Sequence, residues 1–172
     1  IDDFNIERYL GTWHEIARLD HSFERDLEQV TAHYSLRPDG GVTVVNRGFS
    51  TASEEWEEAR GKAYLVGDAN VGHLKVSFFG PFYGSYIIVE HDPGQYALVS
   101  GPNYSYLWIL AREPELDPAT LERLVDKARI DARKGGRVIW TNEDDEGNPV
   151  EERGFIHRWR PTSHLEISWD KF

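Results

Sequence analysis

Apolar and polar positions alternate along eight short runs of the chain, and turn residues separate these runs. The runs occupy residues 13–20, 30–36, 42–49, 59–66, 74–79, 85–91, 95–100 and 106–111. Glycine, proline, aspartate and asparagine cluster in the links, as in 37–41 and 91–95. Alternation with a period of two is typical of strands that bury one face, and short links join antiparallel neighbours. The pattern predicts a closed antiparallel meander or a β-sandwich.

One later segment has helical spacing instead. Its apolar stripe consists of Leu121, Leu124, Val125 and Ala128. Asp117 is a suitable N-cap, Pro118 fits the first helical position, and Gly135 follows the last turn. These signals predict a helix at about 117–134, and residues 137–141 then form a ninth strand.

A single helix after eight strands cannot form a second layer, so it covers only a patch of the outside. The run at 106–111 is apolar on both faces. Leu107 and Ile109 are therefore expected under the helix, with Trp108 on the inner face. The predicted fold is all-β with one helix: an eight-stranded antiparallel up-and-down β-barrel, an α-helix packed outside it, and a ninth strand after the helix.

The barrel and its helix are predicted to occupy residues 1–142, with a C-terminal extension at 143–172. Residues 152–161 and 163–172 have the alternation of two added strands. A pair with so much apolar area is expected to dock on something. It extends the sheet, covers a barrel edge or builds a homodimer contact, and the sequence does not choose among these alternatives.

Composition excludes several classes of function. The chain has 30 acidic and 19 basic residues, a net charge of −11, which argues against a nucleic acid or an anionic membrane surface as partner. It has no cysteine, so it has no disulfide, thiol nucleophile or zinc–thiolate site. No apolar run reaches the length that spans a membrane.

No cofactor or metal site is predicted. The seven histidines form no HExxH motif and no helical i, i+4 pair. The acidic segment 142–153 faintly resembles a calcium loop, but Arg153 stands where a bidentate glutamate is required. Nucleophile-elbow, phosphate-loop and dinucleotide signatures are also absent from the sequence.

The interior of an eight-stranded barrel is just filled by side chains or holds one small ligand. Alternation turns large residues of the middle strands inward: Tyr34, Val76, Phe78, Tyr86 and Ile88. Small Ala32 and Ala63 opposite large Trp108 suggest unfilled space. The acidic stretch 54–58 is predicted to be an exposed turn at the mouth with Trp56 near the ligand. The aromatic corner at 79–84 lies at one end of the barrel, and the sequence does not say which.

Four ordered blocks carry a family resemblance. The stretch GTWHEIAR at 11–18 looks like the Gly-x-Trp signature of lipocalins, and residues 20–49 and 74–86 resemble the bacterial branch. Residues 106–124 are similar to bacterial lipocalins and to apolipoprotein D. The resemblance covers roughly 4–142. It departs from the family pattern at His14, where tyrosine is usual, and at Ser105, where aspartate is usual.

The resemblance implies a structural signature of Gly11, Trp13 and Arg137, with the Arg137 guanidinium stacked on Trp13 at the barrel base. It implies binding, storage or transport of small lipophilic molecules, above all fatty acids or lysophospholipids. The residues expected to contact the ligand either face inward or lie at the barrel mouth. They are Tyr34, Trp56, Val76, Phe78, Tyr86, Ile88, Tyr106 and Trp108. It implies a location at the outer membrane facing the periplasm. The anchoring cysteine of that branch would precede Ile1, so this chain is expected to be soluble.

Two other hypotheses compete with the carrier. One is an isomerase or hydrolase acting on a lipophilic substrate in the same barrel, which needs a nucleophile or an acid–base pair in the pocket. No inward histidine–carboxylate pair is evident, so the chain is predicted not to be an enzyme. The other is an interaction module with a filled barrel, which a measured cavity would exclude.

Overall fold

A computed structural model describes residues 1–19, 24, 26–102, 106–134, 142–143, 149–150 and 155–157. Eight strands follow a short helix, α1 (Ile6–Tyr9). They are β1 (Gly11–Leu19), β2 (Leu27–Leu36), β3 (Val42–Ser50), β4 (Glu55–Leu65), β5 (His73–Phe79), β6 (Phe82–Asp92), β7 (Tyr96–Ser100) and β8 (Leu107–Ala111). Helix α2 (Pro118–Lys134) comes next, and then β9 (Asn142–Glu143), β10 (Pro149–Val150) and β11 (Phe155–His157).

Strand β1 closes the barrel by changing partner along its length. Its first half pairs with β2, from Gly11↔Tyr34 to His14↔Thr31. Its second half pairs with β8, from His14↔Ala111 to Arg18↔Trp108, with a bulge between Glu15 and Ala17. Every other consecutive pair from β2 to β8 is antiparallel. The predicted eight-stranded antiparallel barrel is confirmed.

Helix α2 packs on the outside of β8, as its apolar stripe predicts. Leu107 and Ile109 are fully buried beneath it. They form one cluster with the stripe residues Leu121, Leu124, Val125 and Ala128. The helix therefore stabilises one patch of barrel wall and leaves the interior free.

The N-terminal segment closes one end of the barrel. The Phe4 amide donates to Asn70 O at 2.8 Å, and the Gly72 amide donates to Ile1 O at 3.1 Å. These bonds fix the segment across the β4–β5 turn. Phe4 and Tyr9 are buried and belong to the same core cluster as Trp13, so α1 forms an apolar plug at this closed end.

Arg112 secures the plug, and the sequence interpretation assigned this role to Arg137. The Arg112 guanidinium lies 3.7 Å from the centroid of the Trp13 ring. It donates to Arg8 O at 2.8 Å, Pro93 O at 3.0 Å and Thr12 O at 3.1 Å. Arg137 lies outside the described residues, and the observed stack on Trp13 belongs to Arg112. Arg112 follows β8, which pairs with β1, so strand pairing brings it to Trp13.

Gly11 begins β1 at a backbone conformation that favours glycine. Its φ is +94°, and a Cβ there would lie 3.4 Å from an Arg112 nitrogen. The glycine therefore permits both the turn from α1 into the barrel and the close approach of Arg112.

The opposite end of the barrel is open, and the β5–β6 hairpin with residues 79–84 lies there. Antiparallel order puts this hairpin on the same side as the β3–β4 turn and opposite the turn at 66–72. Phe79 and Phe82 at its tip are 80% and 78% exposed. The prediction that 54–58 is a turn is wrong for most of its length, because β4 begins at Glu55 and pairs with β3 from there. Both faces of these positions are exposed, so they carry no alternation that would reveal a strand.

The C-terminal part adds sheet beside β1. Strand β11 pairs with β1 from Ala17↔His157 to Leu19↔Phe155, and β9 pairs with β10 in a separate ribbon. The predicted ninth strand at 137–141 lies outside the described residues, as does the predicted strand at 163–172. The boundary at residue 142 and the homodimer contact remain predictions. Among the helices in the described part of the chain, none combines the length and the apolarity that a membrane crossing requires.

Candidate ligand-binding site

A cavity of about 370 Å³ occupies the interior between the plug and the open end. Such a volume lies in the range of small-molecule sites, roughly 300–1,000 Å³. Strands β2, β3, β5 and β8 supply its apolar wall: Val30, Ala32, Val44, Val76, Phe78 and Leu110. The barrel is therefore hollow, as the small residues opposite Trp108 suggested.

Six of the eight residues predicted to contact a ligand line this cavity. They are Tyr34, Val76, Phe78, Tyr86, Tyr106 and Trp108. The Trp108 ring stacks on Tyr106 with centroids 6.0 Å apart and on Tyr86 with centroids 6.5 Å apart. These three rings form a continuous aromatic wall from the mouth toward the floor.

The other two predicted residues lie elsewhere. Trp56 is on the outer surface, 48% exposed, where it packs edge-on against Phe49 and under the Arg47 guanidinium. Ile88 is fully buried in the core cluster with Phe4 and Tyr9 and does not line the cavity. Inward alternation is correct for Ile88, but the plug fills the space that it faces.

A buried charged cluster forms part of the cavity wall near the mouth. The Arg18 guanidinium is fully buried, donates to Glu15 Oε1 at 2.5 Å and also donates to the Glu24 carbonyl. The Trp108 indole nitrogen donates to Glu24 Oε2 at 3.0 Å. Glu15 and Glu24 line the cavity directly. Two carboxylates thus face the interior beside one described cation.

Three tyrosine hydroxyls meet at the floor. Tyr86 Oη lies 2.7 Å from Tyr9 Oη and 2.9 Å from Tyr34 Oη. Burial raises the pKa of Tyr34 to about 12 and also raises the pKa values of Tyr9 and Tyr86. All three groups are therefore neutral donors and acceptors at neutral pH.

The mouth extends sideways into a second depression of about 440 Å³. It lies between the outer halves of β2 to β4 and the β5–β6 hairpin, and Phe79 and Phe82 form its rim. The β4–β5 ladder ends at Lys62↔Ser77, although β4 continues to Glu55. The wall therefore has a lateral notch that joins the cavity through Val30, Asn46 and Phe78.

The groups for nucleophilic catalysis are poorly placed. Ser85 borders the cavity, and its Oγ lies 3.5 Å from His73 Nε2, at the limit of a hydrogen bond. Both alternate with inward neighbours, Tyr86 and Leu74, so their side chains lie on the outer face. Within the described ranges, no group of three or more histidine, aspartate and glutamate residues could hold a metal ion.

Sequence reasoning missed the polar residues of the site. Glu15 and Arg18 lie in an alternating run, where charged residues usually face solvent, and Glu24 lies in the link that follows that run. The bulge after Glu15 shifts the alternation by one residue and turns Arg18 inward. Tyr9 precedes the first strand and shows no periodic signal. The Gly-x-Trp block beside it was the available signal that α1 plugs the barrel.

The chain matches known proteins over most of its length. A family model described as "Lipocalin-like domain" matches residues 4–143. The outer membrane lipoprotein Blc of Vibrio cholerae is 50% identical over 145 residues, which cover 83% of this chain and 85% of that protein. Mouse apolipoprotein D is 31% identical over 134 residues, which cover 73% of this chain and 69% of that protein.

A solved structure shares the fold. Insecticyanin from the tobacco hornworm Manduca sexta superposes with a TM-score of 0.66 at 21% identity, covering 94% of this chain and 84% of that one. This likeness extends over the closed barrel and the helix that packs on it. From the family match and the identity to Blc, the chain belongs to the lipocalin family.

Proposed function

We propose that this protein binds, stores or transports single-chain lipids, with the acyl chain in the barrel interior. The observation that carries the proposal is the hollow apolar cavity, closed at one end by α1 and open at the other. The lipocalin family binds small hydrophobic ligands. Transfer of an acyl chain from water to such a wall is favourable by about 25 cal/mol per Å² before association costs.

The carboxylates near the mouth fit the zwitterionic head group of a lysophospholipid. Glu15 and Glu24 face the cavity, and none of its described lining residues is basic. A zwitterionic head group can direct its ammonium toward the carboxylates and its phosphate toward solvent.

A binding role is favoured over catalysis on the same barrel. The Ser85–His73 pair is long and on the outer face, which is a poor arrangement for attack on a bound lipid. The tyrosine hydroxyls have raised pKa values, which makes them weak general acids near neutral pH. We therefore propose a carrier rather than an isomerase or hydrolase.

We further propose that the protein acts at the outer membrane facing the periplasm. Support comes from the 50% identity to a protein named outer membrane lipoprotein Blc. Lipids released from that membrane would reach the open end of the barrel from solution. Separation of envelope fractions from producing cells tests this location.

Titration with single-chain lipids is expected to quench tryptophan emission, because Trp108 lines the cavity. Lysophosphatidylcholine and a fatty acid of the same chain length should both bind, because the apolar wall accepts either acyl chain. Native mass spectrometry of the purified protein should show a co-purified lipid. If a panel of such lipids changes neither emission nor thermal stability, the carrier function is wrong.

Replacing Trp108 by phenylalanine is expected to weaken lysophospholipid binding about tenfold, or ~1.4 kcal/mol. The variant loses stacking area against Tyr86 and Tyr106 and the hydrogen bond to Glu24. Trp56→Phe is the matched control, since Trp56 lies on the outer surface. Equal affinities of the two variants, measured by calorimetry, would place Trp108 outside the binding site.

A further inference from the structure

The three hydroxyls at the cavity floor carry one more proton than their mutual contacts use. Each tyrosine hydroxyl donates one hydrogen bond and can accept others. The two contacts, from Tyr86 to Tyr9 and from Tyr86 to Tyr34, consume two of the three protons. Among the described residues, no further acceptor contacts these hydroxyls, so one O–H remains to be donated.

That remaining donor is directed toward the cavity. Tyr9 is buried in the plug, with 1% of its surface exposed, whereas Tyr34 and Tyr86 line the cavity. The hydroxyls can exchange roles by rotation, so the spare proton can reside on whichever oxygen faces the interior. A buried donor without an acceptor is costly, whereas an acceptor supplied by a ligand removes that cost.

We propose that the floor selects acyl chains that carry an oxygen at the far end, such as a terminal hydroxyl or keto group, which accepts a hydrogen bond from the Tyr9–Tyr34–Tyr86 cluster. The inference rests on the proposed function, because it requires a chain whose tail reaches the floor. The ligand class is an oxygenated single-chain lipid with its polar head at the mouth.

The wall above the floor supports this orientation. Val44 and Val76 offer only apolar surface between the tyrosine cluster and the mouth. Glu15 and Glu24 line the same cavity next to Trp108 and can face an ammonium head group. A ligand with polar groups at both ends and an apolar middle therefore matches the order of surfaces along the cavity.

The test compares two lysophosphatidylcholines below their micelle concentrations, one with a hexadecanoyl and one with an ω-hydroxyhexadecanoyl chain. The bulky head group keeps the tail directed inward. In the unchanged protein, the hydroxylated chain should bind at least as tightly as the plain chain, although it loses more hydration. Hydroxylated chains that are too short to reach the floor should bind more weakly than plain chains of the same length.

The double variant Tyr34→Phe/Tyr86→Phe removes both hydroxyls that line the cavity, so it should lower the affinity for the hydroxylated lipid about tenfold more than the affinity for the plain lipid. Tyr96→Phe is the control, because it removes a hydrogen-bonded hydroxyl on the outer side, where Tyr96 donates to Glu90 at 3.1 Å. In Tyr96→Phe, the relative affinity for the two lipids should be the same as in the unchanged protein. If the double variant does not fold, the chain-length series in the unchanged protein supplies the comparison.

The outcomes separate the two proposals. If neither lipid binds, the proposed function fails. If the plain lipid binds and the hydroxylated one binds more weakly to the unchanged protein, the floor is simply apolar and this inference is overturned. Parity that persists in the double variant Tyr34→Phe/Tyr86→Phe overturns it as well, because the ligand oxygen then finds its partner elsewhere.

Discussion

Replacing Arg112 by alanine is expected to lower the free energy of unfolding by about 3–5 kcal/mol. The side chain donates to three backbone carbonyls, of Arg8, Thr12 and Pro93. It also covers the Trp13 ring. The change would remove the donor of these three carbonyls, of which that of Pro93 is partly buried, and would loosen the plug that closes the barrel. Chemical denaturation monitored by circular dichroism measures the loss.

A double-mutant cycle with Trp13→Phe isolates the stack on the ring. Arg112→Lys should give an intermediate loss, because an ammonium cannot lie flat on the indole and reach three carbonyls at once. The control is Arg60→Ala, since the Arg60 side chain is 70% exposed and pairs with Glu58 at 3.5 Å. Arg60→Ala should lower the free energy of unfolding by less than about 1 kcal/mol. Additive effects of the Arg112 and Trp13 changes would show that the contact contributes nothing.

Replacing Arg18 by methionine is expected to cost about 3–5 kcal/mol of folding free energy. The volume of the side chain is largely kept, but the guanidinium no longer offsets the buried carboxylates of Glu15 and Glu24. The carbonyls of Glu24 and Leu27 lose their donor as well. Thermal and denaturant unfolding should both show the change.

Removing one of the carboxylates that Arg18 contacts tests the expected effect of Arg18→Met. Arg18→Met combined with Glu15→Gln should recover part of the loss, because one of the two buried carboxylates is then replaced by a neutral amide. Arg123→Met is the matched exposed control, since Arg123 pairs with Glu90 at 2.7 Å while 49% exposed. A similar small loss for Arg18→Met and Arg123→Met would contradict the buried-ion argument.

The strands and the outer helix could be predicted because their alternation reports which face is buried. The run at 106–111 is apolar on both faces, and the structure buries Leu107 under α2 and turns Trp108 to the cavity. Strand β4 was predicted too short, because Glu55 to Glu58 extend beyond the core, where neither face is buried. A strand that buries neither face shows no alternation of apolar and polar residues, so this pattern cannot reveal it.

The aromatic wall of the site was also predictable, but its polar groups were not. Tyr86 and Trp108 follow from strand period and inward position. Arg18 requires knowledge of the bulge after Glu15, which depends on the pairing of β1 with β8 in three dimensions. Arg112 requires knowledge that β8 pairs with β1, a contact between distant parts of the chain that local patterns cannot report.

The closing ladder between β1 and β8 has a consequence for the order of folding. Hairpins from β2 to β8 join strands that are neighbours in sequence, whereas this ladder joins positions 14 and 111. The entropy of closing such a long loop is lost before its contacts form, so closure is expected late. Arg112 bridges the same seam. In chevron measurements, its removal should therefore accelerate unfolding and leave the folding rate nearly unchanged.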